Sequence, residues 1–544
     1  MSNTRLVVGS FWAFFLIGLP FWWKTTEVYR ANLPFPEIES WRNGQSCNFV
    51  FPTTITIHIP NSIIQQNNIN KNDRKEALQQ RLSTEFNKQS SCAEFPINVQ
   101  YQPWHNDNND NNDELIKQYR DVPVGHYHFF IDKSTTDQTV PYNVTVGNTR
   151  ASIIQMTDNM SNDKVDNVIF TLTKMIFGDE YETLGQVACR SDQIRDRNDM
   201  SSMRTVKYSP RYQVTFSLMN NDPSKLTVDW DIQEAVKSYV YPLLRELSMV
   251  SNFTVDSQVQ NYASLSMKPH YKEREGKTGY YYLNPENLPH FINSADWNLA
   301  STISSYSTIN FILYVPSPDE RLWIHDKQGR PLPGNAFSIP GWGGVVIKNP
   351  PPPHTLIEGH HYIMDKKRLQ PVLRIFVSQL RTLLGIQDFT SITTNDFNVT
   401  FMTAPHTGIT SLEKDAVIRK RTVENIVNAA STLNSLAQLV TEIPNMVVLD
   451  HIALQVQESL HALHLGCDAL QKGEYDTALQ HAIHAIELAE EAFFNPTMVS
   501  MLYFPDEHKY AIYMPLFVPI SVPLIMAIVK ALKEMKKKDK SKTE

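Results

Sequence analysis

Cysteine is scarce. Four in 544 residues exclude a disulfide-built scaffold and any cysteine-rich zinc or iron–sulfur module. A basic excess is missing too: 50 Lys and Arg stand against 57 Asp and Glu, for a net charge of −7. That excludes a generic nucleic-acid binder, which needs a basic face for phosphates. Mean hydropathy of −0.33 excludes a polytopic transporter. The signatures H-E-x-x-H, G-x-S-x-G, the P-loop and C-x-x-C do not occur, so the commonest hydrolase, nucleotide and redox sites have no sequence support. What is present, 42% hydrophobic and 20% charged residues, suffices for real cores, and the length suits about three domains.

Two stretches depart from the average. Residues 6–23 read LVVGSFWAFFLIGLPFWW without a charge, close to the minimum that crosses about 30 Å of hydrocarbon. A cleaved signal peptide would need a small-x-small site after the apolar run, whereas Trp22, Trp23 and Lys24 follow,. An uncleaved span is the better reading. Residues 510–532 form a second apolar stretch, interrupted by Pro515, Pro519 and Pro523; in a membrane this predicts a kinked helix with protein neighbours. The lysines from Lys530 to Lys542 should keep the C-terminal tail cytosolic. Two spans then return residues 1–5 to the cytosol and put the acidic remainder across the membrane. Four N-x-S/T sequons, Asn143, Asn159, Asn252 and Asn398, fall on that side,. The tail ends Lys540-Ser-Lys542-Thr-Glu, similar to a dilysine retrieval signal of the endoplasmic reticulum.

Between the spans, periodicity predicts an α/β lumenal ectodomain, a mixed sheet with covering helices, in two β-α-β-like halves. The first, 24–204, has strands at 53–59, 95–101, 125–131 and 151–156, helices at 73–88 and 164–177, and an Asn/Asp-rich disordered loop at 102–114. The second, 205–390, has strands at 212–218, 254–262, 308–315 and 344–347 and helices at 230–247 and 368–384. Residue identity between the halves is too thin to assert a duplication. From 411 to 500 long helices follow, broken at Pro444 and Gly473: a helical hairpin or bundle that packs on the α/β part and acts as a stalk. The tail 533–544 is basic.

Candidate chemistry is sparse. Gln186-Val-Ala-Cys189-Arg-Ser191 distantly resembles a caspase-type nucleophile, with His126 and His128 upstream, but an extra valine and the missing glycine argue for a buried or disulfide-bonded Cys189. His461, His464 and Cys467, with His481 and His484 on the next helix, have metal-clamp spacing, yet an interhelical or solvated face explains them better. Ser411-x-x-Lys414 reads as a helix start capped by Ser411, and Gly341-Trp-Gly343-Gly344 as a tight turn. No catalytic, metal or cofactor site is expected. That shifts weight to a binding or scaffolding subunit.

Several unusual strings point to one family: Trp22-Trp-Lys-Thr-Thr-Glu27, Tyr29-Arg-Ala-Asn-Leu33, Val255-Asp-Ser-Gln-Val259 and Asn287-Leu-Pro-His-Phe-Ile-Asn293. So do Asn310-Phe-Ile-Leu-Tyr-Val-Pro316, Asn335-Ala-Phe337 with Trp342-Gly-Gly344, and Leu502-Tyr-Phe-Pro-Asp506 running into Ala511-Ile-Tyr-Met-Pro-Leu516. Together they resemble the PIG-S family of glycosylphosphatidylinositol (GPI) transamidase subunits. The resemblance implies a non-catalytic, scaffolding role in a complex of the endoplasmic reticulum membrane that removes the C-terminal signal of proproteins and attaches a GPI anchor. It implies a separate PIG-K-like catalytic subunit, PIG-T, PIG-U and GAA-type partners, and a glycan at Asn252. It also implies an anionic phospholipid headgroup at the cytosolic edge of the first span, where Arg5 fits and Ser2 stands in place of a second base. Two other readings of the chain are a membrane cysteine hydrolase using Cys189, and a lumenal glycan or GPI receptor using an exposed Tyr280 to Tyr282.

Overall fold

The computed structural model describes residues 9–540 except 15, 19, 22–23, 25–28, 61–70, 89–91, 105–111, 134–141, 157–161, 190–204, 275–276, 293–296, 298, 300–306, 352–360, 390–393, 395–396, 444–445 and 499–506. It divides into two compact units: Asn48–Val427 with Leu465–Ile483, and Met1–Cys47 with Asn428–His464 and His484–Glu544.

Among the described residues the larger unit holds two large sheets, of six and five strands, and three small ones of two or three. The chain first lays down β1 (Thr53–Pro60), α1 (Lys71–Asn87), β2 (Ile97–Trp104), α2 (Asn112–Gln118), β3 (His126–Lys133), β4 (Tyr142–Val146), β5 (Ala151–Met156) and α3 (Asn162–Ala188). The order is then repeated by β6 (Arg211–Asn220), α4 (Ile232–Tyr239), α5 (Tyr241–Glu246) and β7 (Asn252–Asn261). An inserted hairpin, β8 (His270–Arg274) and β9 (Lys277–Leu283), precedes β10 (Ser307–Val315), β11 (Leu322–Ile324), β12 (Ala336–Ile339), β13 (Gly343–Ile347) and α6 (Lys366–Leu383). After β14 (Asn398–Phe401) come α7 (Ser411–Glu442), α8 (Asp450–Lys472) and α9 (Tyr475–Phe493).

The strand orders are β14-β4-β5-β3-β1-β2 and β7-β6-β10-β13-β12. In each half the first strand lies between the second and the third, and these three are parallel. The last strand is parallel to the third and carries one antiparallel neighbour that precedes it in the chain. Each half is thus a doubly wound unit of the same topology, although the residues barely match. The strand β14, made after the second half, joins the first sheet beside β4.

Local chemistry explains the elements. β1 and β13 are buried on both faces, as parallel strands covered by helices must be. Phe216 and Phe311 from neighbouring strands pack with Phe376 of α6, centroids 5.1–5.9 Å apart. At Gly343 a Cβ would lie 1.8 Å from the Asn310 carbonyl oxygen, and at Gly344 2.0 Å from Gln379 Oε1. The Gly-Trp-Gly-Gly string is therefore a turn, with Gly341 at φ +66°, running into a strand too crowded for side chains.

Three expectations are corrected. The helix expected at 230–247 is two short ones, because Pro242 sits in the first turn of α5 and cannot continue the preceding hydrogen-bond ladder. The loop expected at 102–114 is narrower: β2 runs to Trp104, and α2 begins at Asn112 with Asp113 and Glu114 favourably placed in its first turn,; the residues between lie outside those described. The cap of α7 is Thr410, not Ser411. Thr410 N–H donates to Glu413 Oε2 at 2.8 Å and Glu413 N–H to Thr410 Oγ1 at 3.3 Å, a capping box.

In the smaller unit, Ala31 N–H donates to the Val448 carbonyl at 2.8 Å and Tyr29 Oη to Asp450 Oδ1 at 2.6 Å. The helix Phe35–Arg42 packs Trp41 against His464, with ring centroids 5.0 Å apart. Ser459 Oγ donates to the Ala485 carbonyl at 2.7 Å. A 34-residue helix, α10 (Glu507–Lys540), contains Pro515, Pro519 and Pro523. Its Met514, Val518, Val522, Ile525, Met526, Val529 and Leu532 are exposed, as are Phe11, Phe14, Leu16, Ile17 and Phe21 near the N-terminus. Among the described residues no helix is long and apolar enough to cross a membrane.

Candidate functional site

The nucleophile comes first. Cys189 forms a disulfide with Cys92, Cα atoms 5.2 Å apart. The sulfur has no thiolate form in this state and cannot attack a carbonyl. A Cys47–Cys92 bond is also excluded. His126 and His128 lie on β3, and His128 Nδ1 faces His58 Nε2 at 2.9 Å. His58 stacks on Phe130 at 4.2 Å. Burial, then the neighbouring His128, lowers the His58 pKa to about 4, and burial lowers that of His128 as well. Both rings are therefore held neutral near pH 7.

The spaced histidines are not assembled into a metal clamp. Cys467 is disulfide-bonded, His464 contacts Glu37 at 3.1 Å, and no group of three or more metal-ligating side chains occurs among the described residues. Tyr280, Tyr281 and Tyr282 are half-buried, not exposed. Tyr282 stacks on His325 at 4.4 Å, and Tyr281 packs against the core beneath β10.

Sequence reading missed a cluster of buried charges. Arg419, on the inner face of α7, is fully buried. Its Nε and Nη2 donate to the two oxygens of Glu180 on α3, at 2.6 and 2.9 Å, and its Nη1 donates to Tyr127 Oη at 2.9 Å. Tyr127 Oη in turn donates to Asp415 at 3.0 Å, and the same carboxylate accepts from Arg150 Nε at 2.8 Å. Arg150 also donates to the Val122 carbonyl. Two cations and two anions thus form one chain, Glu180–Arg419–Tyr127–Asp415–Arg150, with the guanidinium forks in bidentate geometry.

Aromatic rings close the cluster. The Arg419 guanidinium lies 5.5 Å from the Tyr475 ring and 6.0 Å from that of Phe177. Tyr475 Oη donates to the Pro52 carbonyl at 2.9 Å, and Tyr181 Oη meets Thr53 Oγ1 at 2.6 Å. Burial opposes the Arg419 charge, but Glu180 and Tyr127 outweigh it and hold its pKa above the ordinary range. Burial raises the Tyr127 phenol and pushes Tyr181 up to about 12. Each of the five side chains of this ion chain is paired with another of them, the arrangement of a structural tie. It ties the start of α7 and the tip of the α8–α9 hairpin to the first sheet. The one sequence signal was Asp415 and Arg419, four residues apart on the apolar stripe of Leu412, Ala416 and Val423.

A groove of about 600 Å³ lies elsewhere in the same unit. One wall is α6, presenting Arg374, Ser378 and Arg381; the other holds Phe389, Phe401 and Pro405. Arg381 pairs with Glu413 at 2.6 and 3.2 Å and donates to the Gly408 carbonyl.

Of the expected sequons, Asn252 and Asn398 are the exposed first residues of β7 and β14. Asn143 is half-buried in β4, its Oδ1 enclosed without a partner. Asn159, Arg5, Ser2 and Lys542 lie outside the described residues, and Lys540 is the last residue of α10.

These features define an α/β protein of two like doubly wound halves with a helical hairpin, whose buried polar groups hold structure together. The chain belongs to the PIG-S family, phosphatidylinositol-glycan biosynthesis class S protein, which it matches over residues 9–538. It is 31% identical over 522 residues to the GPI-anchor transamidase component PIGS of Rattus norvegicus, covering 92% of this chain and 90% of that protein. It is 29% identical over 538 residues to the Homo sapiens component of the same name, with the same coverage. A GPI transamidase component PIG-S homolog of Schizosaccharomyces pombe is 26% identical over 523 residues, covering 95% of this chain and 81% of that one.

Proposed function

We propose that this chain is a non-catalytic, scaffolding subunit of the GPI transamidase complex. The observation that carries the reading is the match to one family from residue 9 to residue 538, whose relatives are named as components of that transamidase. The Cys92–Cys189 disulfide supports placing the catalytic Cys and His on another, PIG-K-like subunit. PIG-T, PIG-U and GAA-type subunits complete the assembly. The protein sits in the endoplasmic reticulum membrane through two spans, 6–23 and 510–532, with both termini cytosolic and the acidic α/β part lumenal. The exposed apolar side chains of α10 favour this, because water does not stabilise such a surface. Arg5 and Ser2 face an anionic phospholipid headgroup, Lys540 and Lys542 serve retrieval, and proprotein and GPI reach the chain through the complex.

A gentle-detergent pull-down of the tagged chain, with GPI attachment followed in depleted cells, tests the reading. Co-purification of a caspase-like subunit and accumulation of uncleaved proprotein are expected. A chain that purifies alone from cells with normal GPI attachment would refute it.

A further inference from the structure

The three-stranded sheet of β8, β9 and β11 has one face in the core and one outside. Tyr281, Leu322 and Ile324 lie on the inner face. Side chains alternate along a strand, so the residues between them point outward. The register then sets a row of aromatic side chains across all three strands: His270 of β8 is opposite Tyr282 of β9, and Tyr282 is beside Trp323 of β11. Strands lie about 4.8 Å apart, so the row runs about 10 Å. In the next row Lys272 is opposite Tyr280, and alternation puts Arg321, two residues before Trp323, on the same side.

The row is fixed at its centre and open at its end. Tyr282 stacks on His325 at 4.4 Å and tilts against His270 at 5.4 Å, while Tyr280 Oη meets His325 Nε2 at 3.3 Å. Trp323 is half-buried, and among the described residues it makes no ring contact and its indole N–H no hydrogen bond. Two cations border the row. Neither Lys272 nor Arg321 has a side-chain hydrogen bond or ion pair among the described residues, and Arg321 Nε is enclosed without a partner. Burial, then the Lys272 ammonium, lowers the His325 pKa, which places that charge beside the row. Asp326, the next residue, is held by Arg330 at 3.0 Å.

These features select a ligand. A sugar ring presents C–H bonds on one face and hydroxyls around its rim. The C–H face packs on the negative face of an aromatic ring, and the hydroxyls bond to polar tips such as the Trp323 N–H. None of the exposed aliphatic side chains among the described residues belongs to these strands, so the face lacks the dry centre of a protein interface. Two unengaged cations in a chain of net charge −7 attract an anion, and a guanidinium with an unpartnered N–H suits phosphate geometry.

We propose that the outer face of β8, β9 and β11 binds a phosphate-bearing oligosaccharide, with a sugar stacked on Trp323 and the phosphate on Arg321, drawn in by Lys272. Resting on the subunit reading above, the ligand is the glycan of the GPI substrate.

The test places a photo-cross-linking amino acid at His270, or at Tyr241 as a control, both exposed, in the full chain within the purified complex. Three probes are compared by mass spectrometry of the adducts: a delipidated GPI glycan, the same glycan stripped of phosphate with hydrogen fluoride, and a neutral high-mannose N-glycan. Adducts of the intact GPI glycan are expected from His270 and not from Tyr241. Their yield should fall at least about fivefold in Trp323→Ala and little in Trp323→Phe, which keeps the ring. It should fall about tenfold in Arg321→Gln, a variant that makes no difference to the stripped glycan. Equal yields from the stripped glycan or the N-glycan, adducts on a protein component alone, or indifference to Trp323→Ala and Arg321→Gln overturn the proposal. A complex that assembles and gives no glycan adduct removes this site alone. If the wild-type chain brings down no other component, the subunit reading falls, and the same probes on the full chain by itself still decide the glycan site.

Discussion

At the scale of single residues, the energetics concentrate in the buried ion chain. Separating Arg419 from Glu180 leaves a carboxylate in a site from which water is excluded. Breaking such a pair from one side typically costs about 3–5 kcal/mol, whereas replacing both partners with apolar groups of similar volume is close to neutral. Arg419→Met should therefore lower the thermal midpoint strongly, and Arg419→Met with Glu180→Met should regain most of the loss. Equal losses in the two variants would show that the charge itself is not what matters. His58 predicts a pH effect of definite sign. Its folded-state pKa of about 4 lies below the ordinary 6.5, so between those values the unfolded chain binds the extra proton. Stability is complete above pH 6.5 and falls as pH drops toward 4, by up to about 3 kcal/mol. Midpoints measured at pH 7.5, 6 and 5 should fall more steeply in the wild type than in His58→Gln. Parallel slopes would remove His58 from the account.

At the scale of elements, the two sheets show what a close approach of backbones demands. A methyl at Gly343 would press on the Asn310 carbonyl of the adjacent strand, and neither backbone can yield without breaking the ladder. Gly343→Ala should cost about 3 kcal/mol and lower the midpoint by at least about 5 °C. Gly178→Ala in α3, with nothing nearer than 3.9 Å, should be neutral or stabilising; similar behaviour of the two variants would refute the steric argument. Elements with a strong period were legible in the sequence. The central strands and the helices α3, α6 and α7 all appear, because burial on both faces or on one stripe writes itself into residue type. The antiparallel strands β4 and β12 and the joining strand β14 were not, since short edge-proximal segments such as Asn-Val-Thr-Phe carry little pattern. Nor was the shared topology, which lies in strand order and not in residue identity. The candidate site was less legible still. The ion chain joins residues up to 292 positions apart, and only Asp415 and Arg419 show any local trace of it.

At the scale of the whole molecule, the same topology that repeats the two halves leaves each sheet with an edge, and two of those edges begin with a sequon. β7 closes one side of the second sheet and starts at Asn252; β14 closes one side of the first and starts at Asn398. A glycan at the first residue of an edge strand is fully solvated and also blocks pairing with another chain, the standing hazard of exposed edges. Asn143 is different. It pairs in register with Asn398, about 4.8 Å away across the ladder, and its enclosed Oδ1 would have to leave the sheet surface to make room for a sugar. If the α/β part is lumenal, Asn252→Gln and Asn398→Gln should each remove one glycosidase-sensitive increment of mass on a gel, and Asn143→Gln should remove none. An increment lost with Asn143→Gln would mean that β4 folds differently on the modified chain. The absence of any glycosidase-sensitive increment from the wild type would place the ectodomain on the other side of the membrane and with it reverse the proposed two-span topology.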